Sequence, residues 1–138
     1  MLGCRGEDFK TVKGYLDPMA GNIFYCGGSG SGQIAKICIN LALGIQMTSI
    51  AEALALGVKL GMDPKVLSDV MKVSTARCWS VDTYNPCPGV MEGVPSSNNY
   101  ADGFGVSLLV KDLSLMLEAA SEVEMRLALG ERVYQLYK

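Results

Sequence analysis

The chain has 138 residues, a net charge of −2 and no histidine. At 49% hydrophobic and 19% charged it has the composition of a folded globular domain, and its length suits one compact core. The slight acidic excess, with a pI near 5.1, gives no electrostatic basis for a nucleic-acid or anionic-membrane partner. Without histidine the commonest metal ligand and general base are missing, so proton chemistry falls to lysine, tyrosine, cysteine or a carboxylate. Cys4, Cys26, Cys38, Cys78 and Cys87 form no C-x-x-C pair. Their odd number and scatter predict free thiols in a reducing compartment, each filling a small buried apolar position, and no metal site.

Phe9, Val12, Leu16 and Met19 recur every three or four residues, which predicts a short amphipathic helix from about Glu7 that Pro18 and Gly21 end. Ile23–Cys26 is a short apolar run bounded by Asn22 and Gly27 and reads as a buried strand. The stretch "YCGGSGSGQIAK" follows. Gly30-Ser31-Gly32-Gln33-Ile34-Ala35 within it has the G-x-G-x-x-A form of a dinucleotide-binding turn. Such a turn needs a second strand about twenty residues on, ending in an acid. That position falls inside a long helical pattern, with Glu52 in "SIAEALALG". The stretch therefore reads as a hinge leading into a helix.

That helix runs from about Gly32 to Leu60 without proline. Its apolar residues lie all round it, which predicts that other helices surround it, while Gly44 and Gly57 allow close approach of a neighbour. Ile37–Val58 has the length of a membrane span, but Asn40, Gln46, Thr48, Ser49 and Glu52 interrupt it, as suits a core helix of a soluble protein. Gly61, Asp63 and Pro64 mark a helix end, an N-cap and a first helical position, opening a helix that stops near Ser74. About thirty residues then carry three prolines and four glycines together with Trp79, Tyr84 and Tyr100. The aromatics predict an ordered, packed loop with a functional role. After Gly105 helical periodicity resumes, with Leu108, Leu109, Leu113, Leu115, Met116 and Leu117 as core, and "LALGERVYQLYK" forms a last helix. The expected account is one strand and about five helices, with no internal repeat.

Lys36 and Asn40 stand at i and i+4 and share one face of the long helix. By spacing alone they read first as a rim lysine and a hydrogen-bonded core amide, ahead of a functional pair.

Three segments in order resemble the β-hydroxyacid dehydrogenase family. "GGSGSGQIAKICIN" resembles its G-x-G-x-x-x-K-x-x-x-N segment, "FGVSLLVKDLSL" its F-x₆-K-D-L element, and "RCWSVDTYNPCPGVMEGVPSSNNY" the loop of the branch that acts on 3-hydroxyisobutyrate. The resemblance implies an all-α fold: a 6-phosphogluconate-dehydrogenase-like C-terminal helical domain over residues 30–138. Residues 1–29 would be the remnant end, with one strand, of a preceding nucleotide-binding domain. It implies oxidation of 3-hydroxyisobutyrate to methylmalonate semialdehyde with NAD, on the valine breakdown route in mitochondria. Lys36 would be the catalytic acid/base, which calls for a pKa lowered by a buried site, and Asn40 would orient it and bind substrate. Gly32 and Gln33 would present backbone to a substrate carboxylate. Phe104 and Lys111 would approach the cofactor, Asp112 would support Lys111 or cap structure, and Trp79 with Ser80 would shape the pocket. The first nucleotide-binding fingerprint and the family's Ser-Gly-Gly substrate element are missing from the chain. The resemblance thus implies a fragment that neither binds NAD tightly nor turns over alone, and that self-associates. A non-catalytic helical interaction module derived from the same family is the alternative. No targeting segment is expected in "MLGCRGEDFKTVK".

Overall fold

The computed structural model describes all 138 residues, Met1–Lys138. Its elements are β1 (Leu2–Gly3), α1 (Phe9–Leu16), β2 (Tyr25–Gly27), α2 (Ser31–Lys59), α3 (Pro64–Lys72), α4 (Trp79–Asp82), α5 (Val106–Glu122) and α6 (Ala128–Tyr137). The predominantly helical fold agrees with the reading of the sequence. The strand count does not: β1 and β2 form a parallel pair joined through α1, with Leu2 opposite Tyr25 and Gly3 opposite Gly27. A strand of two residues leaves no alternation to read. It exists because Leu2 N–H donates to Phe24 O at 2.8 Å and Cys4 N–H to Gly27 O at 3.0 Å. Pairing reaches β2 only over Tyr25–Gly27, so the strand starts later than the apolar run Ile23–Cys26 suggested.

The glycine stretch is a tight seam between this pair and α2. A Cβ on Gly3 would stand 2.6 Å from Gly28 O and 3.0 Å from Gly32 N, and one on Gly32 would stand 3.2 Å from Met1 O. Glycine at position 3 lets the β1 backbone lie against the start of α2, and a side chain at position 32 would require Met1 to shift by a few tenths of an ångström.

α2, at 29 residues about 43 Å long by its rise of 1.5 Å per residue, is the spine on which everything else packs. Its C-terminal half, through Ile50 and Leu54, meets Met71 of α3 and Val81 of α4. Its N-terminal half, through Ile37, Leu41 and Ile45, meets Leu109, Leu113 and Met116 of α5 and Val133 of α6. Leu54 and Leu113 are fully buried and each contributes about 1.5–3 kcal/mol by leaving water. The expected close approaches at glycine occur. A Cβ on Gly44 would stand 3.3 Å from Val133 Cγ1, and one on Gly57 would overlap the end of Leu67.

Three expectations about burial fail. α2 is not surrounded: Ile34, Ile39, Leu56 and Val58 are exposed, because α5 and α6 pack on its N-terminal half and α3 and α4 on its C-terminal half, each covering only part of the circumference. It is long and apolar enough to cross a membrane, yet here it serves as the packing axis of a helical domain. Within α5, Leu109, Leu113 and Met116 are core as expected, but Leu108 and Leu115 are about half exposed, on the side turned away from α2 and α6. The cysteines are free, as expected, but none is buried: Cys38 is exposed and the other four half-buried.

Helix ends follow local chemistry. Asp63 caps α3 by accepting from Lys65 N at 2.7 Å and Val66 N at 3.2 Å. α2 ends in a Schellman turn, with Met62 N–H on Gly57 O at 2.9 Å and Gly61 at φ +91°. α5 ends the same way, with Met125 N–H on Ala120 O at 2.9 Å, but Glu124 takes the left-handed position at φ +54°. A side chain there carries a steric cost that glycine lacks. Glu124→Gly is therefore expected to stabilise the chain by about 0.5–1 kcal/mol, and Gly61→Ala to destabilise it by about 1 kcal/mol. Urea melts of the two variants should move the midpoint in opposite directions; a shared direction refutes the assignment.

Candidate active site

Lys36 lies in the second turn of α2 and Asn40 one turn further on the same face. Lys36 Nζ donates to Asn40 Oδ1 at 3.2 Å, and Asn40 Nδ2 donates to Asp112 Oδ2 of α5 at 2.6 Å. Asp112 Oδ1 pairs with Lys111 Nζ at 2.7 Å. The four side chains form one continuous chain across the seam between the two longest helices. Asn40 is 3% exposed and is the only polar residue that α2 buries completely. A buried amide without partners would cost about 1–3 kcal/mol, and here both ends are used.

Charge fixes the orientation of that amide. The Lys111 hydrogen bond is the largest influence on Asp112 and holds its carboxyl below the usual carboxylate range. Desolvation opposes it, while the Asn40 amide and the charges of Lys111 and Lys36 add to the lowering. An ionised carboxylate only accepts hydrogen bonds, so the Asn40 nitrogen must face Asp112 and its oxygen must face Lys36. The resemblance casts Asp112 as a support for Lys111 or a structural cap. The structure gives it the wider task of orienting Asn40 as well, and with it Lys36.

The other expected residues divide. Lys36 is exposed, so this chain alone does not supply the burial expected of a catalytic lysine. Gly32 and Gln33 are in the first turn of α2, where Gly30 caps with backbone only and no side chain covers the turn. Gln33 is exposed, and Gly32 is turned toward β1. Lys111 joins the Lys36–Asn40 chain through Asp112, with its own side chain 61% exposed. Phe104 does not. It lines a separate cavity of about 510 Å³ formed with Leu43 and Met47 of α2, the Trp79–Tyr84 pair and Tyr137. Leu43 and Met47 continue the Lys36–Asn40 face one and two turns further along α2, so the cavity and the polar chain occupy one side of the same helix. The Trp79 and Tyr84 rings stack at 5.0 Å and 15°, and Phe104 N–H donates to Tyr84 Oη at 3.4 Å. No group of three or more histidine, cysteine, aspartate or glutamate side chains is disposed to hold a metal ion.

The lowered carboxyl of Asp112 gives a signed pH prediction. Its contribution to stability is full above about pH 4, where an unfolded aspartate ionises, and is lost as pH falls through the lower folded value. Asp112→Asn should therefore lower the melting temperature at pH 7, and the gap to wild type should close in acid as the wild-type carboxyl is protonated. A gap that is constant down to pH 2 contradicts the assignment.

With this geometry in hand, comparison with known proteins places the chain. A family model described as NAD-binding of NADP-dependent 3-hydroxyisobutyrate dehydrogenase matches residues 30–138. The mitochondrial 3-hydroxyisobutyrate dehydrogenase of Bos taurus is 49% identical over 138 residues, covering 100% of this chain and 41% of that protein. The 3-hydroxyisobutyrate dehydrogenase of Pseudomonas aeruginosa is 49% identical over 137 residues, 99% of this chain and 46% of that one. A solved structure of Mycobacterium tuberculosis 3-hydroxyisobutyrate dehydrogenase with L-serine superposes with a TM-score of 0.95 at 37% identity, over 99% of this chain and 47% of the other. The chain thus spans less than half the length of these relatives. By the match over residues 30–138 and these likenesses, it belongs to the NAD-binding 3-hydroxyisobutyrate dehydrogenase family.

Proposed function

We propose that this chain is the helical catalytic part of a dehydrogenase that oxidises 3-hydroxyisobutyrate to methylmalonate semialdehyde with NAD, in the mitochondrial breakdown of valine. The observation that carries the reading is the chain Lys36–Asn40–Asp112–Lys111. Oxidation of a secondary or primary alcohol needs a base for the hydroxyl proton, and with no histidine present a neutral lysine amine is the group that suits. Asn40 Oδ1 accepts one N–H of Lys36, which aims the amine lone pair away from the helix seam toward the open face. There Lys36 takes the hydroxyl proton, and in the reverse reaction returns it to the carbonyl oxygen. Covering the face withdraws water from Lys36 and favours its neutral form.

Bound NAD supplies the hydride acceptor. The residues of this chain fit part of its site: the Lys111 ammonium is exposed and held in place by Asp112, and Phe104 offers an exposed ring nearby in sequence. Gly32 and Gln33 would hold the substrate carboxylate at the first turn of α2, which has no side-chain cap and where the Gly32 N–H makes no backbone hydrogen bond; Gln33 N–H donates to Gly30 O at 3.0 Å, so its side-chain amide would be the second donor. In this reading residues 30–138 are a 6-phosphogluconate-dehydrogenase-like helical domain and residues 1–29 the end of a nucleotide-binding domain. The β1–α1–β2 crossover supports that division, since parallel pairs joined by a helix are the unit from which such domains are built.

The chain alone is expected to be inactive, because Lys36 stands open to water and the remainder of the NAD site belongs to a nucleotide-binding domain. The exposed Ile34, Ile39, Leu56 and Val58 of α2 favour self-association. The test is to fuse the nucleotide-binding domain of the Bos taurus relative to this chain and follow NAD reduction with 3-hydroxyisobutyrate. The fusion should turn over, and Lys36→Ala should lose about 10²–10⁴-fold in kcat, the usual contribution of a general base. Turnover by the chain alone, or full activity in Lys36→Ala, overturns the reading. If both fusions are dead while the chain sediments as a dimer or larger, the interaction-module reading replaces it.

A further inference from the structure

We infer that Asn85 is the positioning residue of the aromatic wall of the large cavity, acting on Trp79 through Tyr84. The inference deepens the reading of that cavity as part of a dehydrogenase site and takes its catalytic meaning from it. The structural claim stands on observations independent of the reaction.

Between α3 and α5 the chain runs for more than thirty residues with only the four-residue α4 and a 3₁₀ turn at Pro95–Ser97. A segment of this length is ordered only if its backbone polar groups find partners. Asn85 accounts for two of them and adds a side-chain tie to α3. Its Nδ2 donates to Ser68 Oγ of α3 at 3.1 Å, its Oδ1 accepts from Cys87 N–H at 2.9 Å, and its main-chain oxygen accepts from Ser96 Oγ at 2.6 Å. Asn85 is 1% exposed, and Ser68 and Ser96 are buried with it. One residue therefore joins α3 and the turn at Cys87 through its side chain and the 3₁₀ turn through its main-chain oxygen, with the contacts to Ser68 and Ser96 buried.

The neighbours of this hub form the cavity. Asn85 and Ser96 line it, as do Tyr84 and Pro86 on either side of Asn85 and Pro95 beside Ser96. Tyr84 stacks on Trp79 and accepts from Phe104 N–H, so the direction in which Tyr84 leaves Asn85 sets both the Trp79 ring and the start of the Phe104 turn. A Cβ on Gly103 would overlap the Tyr84 hydroxyl, which shows how little freedom Tyr84 has once its backbone is fixed. The far wall also depends on that restraint. Asn99, Tyr100 and Asp102 all hold positive φ, at 51°, 58° and 65°. A bulky residue such as Tyr100 stays in that region only where surrounding contacts hold it; its hydroxyl reaches Pro86 O at 3.5 Å, the residue after Asn85.

Trp79 is the single tryptophan of the chain, so its fluorescence reports on this wall alone. The experiment compares emission maximum and acrylamide quenching in the purified chain for wild type, Asn85→Ala, Ser68→Ala, Ser96→Ala and Val133→Ala, at a temperature where circular dichroism shows unchanged helix. Val133 lies in the α5–α6 cluster, which reaches the cavity at Leu109 and Tyr137 but contains none of Asn85, Ser68 and Ser96, so its alanine variant lowers general stability without touching the hub. Asn85→Ala should red-shift Trp79 and raise its quenching, Ser68→Ala and Ser96→Ala should do so to a smaller degree, and Val133→Ala should leave both unchanged. Unchanged Trp79 emission in all three hub variants overturns the proposal, as does an equal shift in Val133→Ala, which would mark Asn85 as a stabilising residue only. If Asn85→Ala fails to fold, the two serine variants decide by the same criterion. None of these readouts needs turnover, so a failed activity test leaves this result intact and a failed fluorescence test leaves the dehydrogenase reading intact.

Discussion

The hydrogen bond from the Asn40 amide to the Asp112 carboxylate at 2.6 Å sets the relation between α2 and α5, and the rest of the site follows from it. Apolar packing between two helices is tolerant of small rotations, because Leu113 and Met116 could meet Leu41 or Ile45 in several arrangements. A short charge-assisted bond between one amide and one carboxylate is not tolerant. It selects a single rotation of each helix, and with Asn40 fixed, Lys36 has one oxygen to donate to. The buried polar contact adds little net stability once the cost of desolvating both groups is counted. Its effect is to make one arrangement of four side chains the lowest in energy.

The same helix carries an opposite kind of surface. Four of its 29 residues are buried, while Ile34, Ile39, Leu56 and Val58 stand in water at positions its neighbours leave uncovered. A helix uniformly apolar around its circumference has neighbours on every side in its finished state. Apolar side chains gathered on one element in this way are the kind of surface that association covers. The acidic net charge of −2 is too small to keep such surfaces apart by repulsion.

Much of the fold was legible from local chemistry. The run from Gly61 through Pro64 announced the end of α2 and the start of α3 because each residue there has one conformational use, and the structure has Gly61 left-handed and Asp63 as a cap. The Lys36–Asn40 spacing was legible for the same reason, since i and i+4 meet on any helix. What the sequence left hidden was non-local. β1 is two residues long and exists only through pairing with a strand more than twenty positions away. Asp112 was visible as a neighbour of Lys111, but its bond to Asn40 spans 72 positions and no periodicity carries it. Leu108 and Leu115 look like core in a helical pattern that is apolar on too many sides to reveal which one faces inward. In the long loop the aromatics signalled order, yet the residue that provides it, Asn85, resembles any other turn asparagine.

The seam at the start of α2 bears on motion. Glycine-rich stretches between two units are commonly read as joints. Here the backbones of Gly3 and Gly32 lie so close that Gly3 has no room for a methyl group and Gly32 has room for one only if Met1 gives way, with β1 paired to β2 beside the junction. Lys36 is four residues beyond Gly32, about 6 Å along the helix axis, so a tilt of the helix start by roughly 10° would carry its Cα only about 1 Å. The junction acts as a weld: α2 and the β1–β2 pair turn as one lever arm. Any opening and shutting of a cleft beside Lys36 would pivot at another point of the polypeptide, with the lysine carried passively on the stationary jaw.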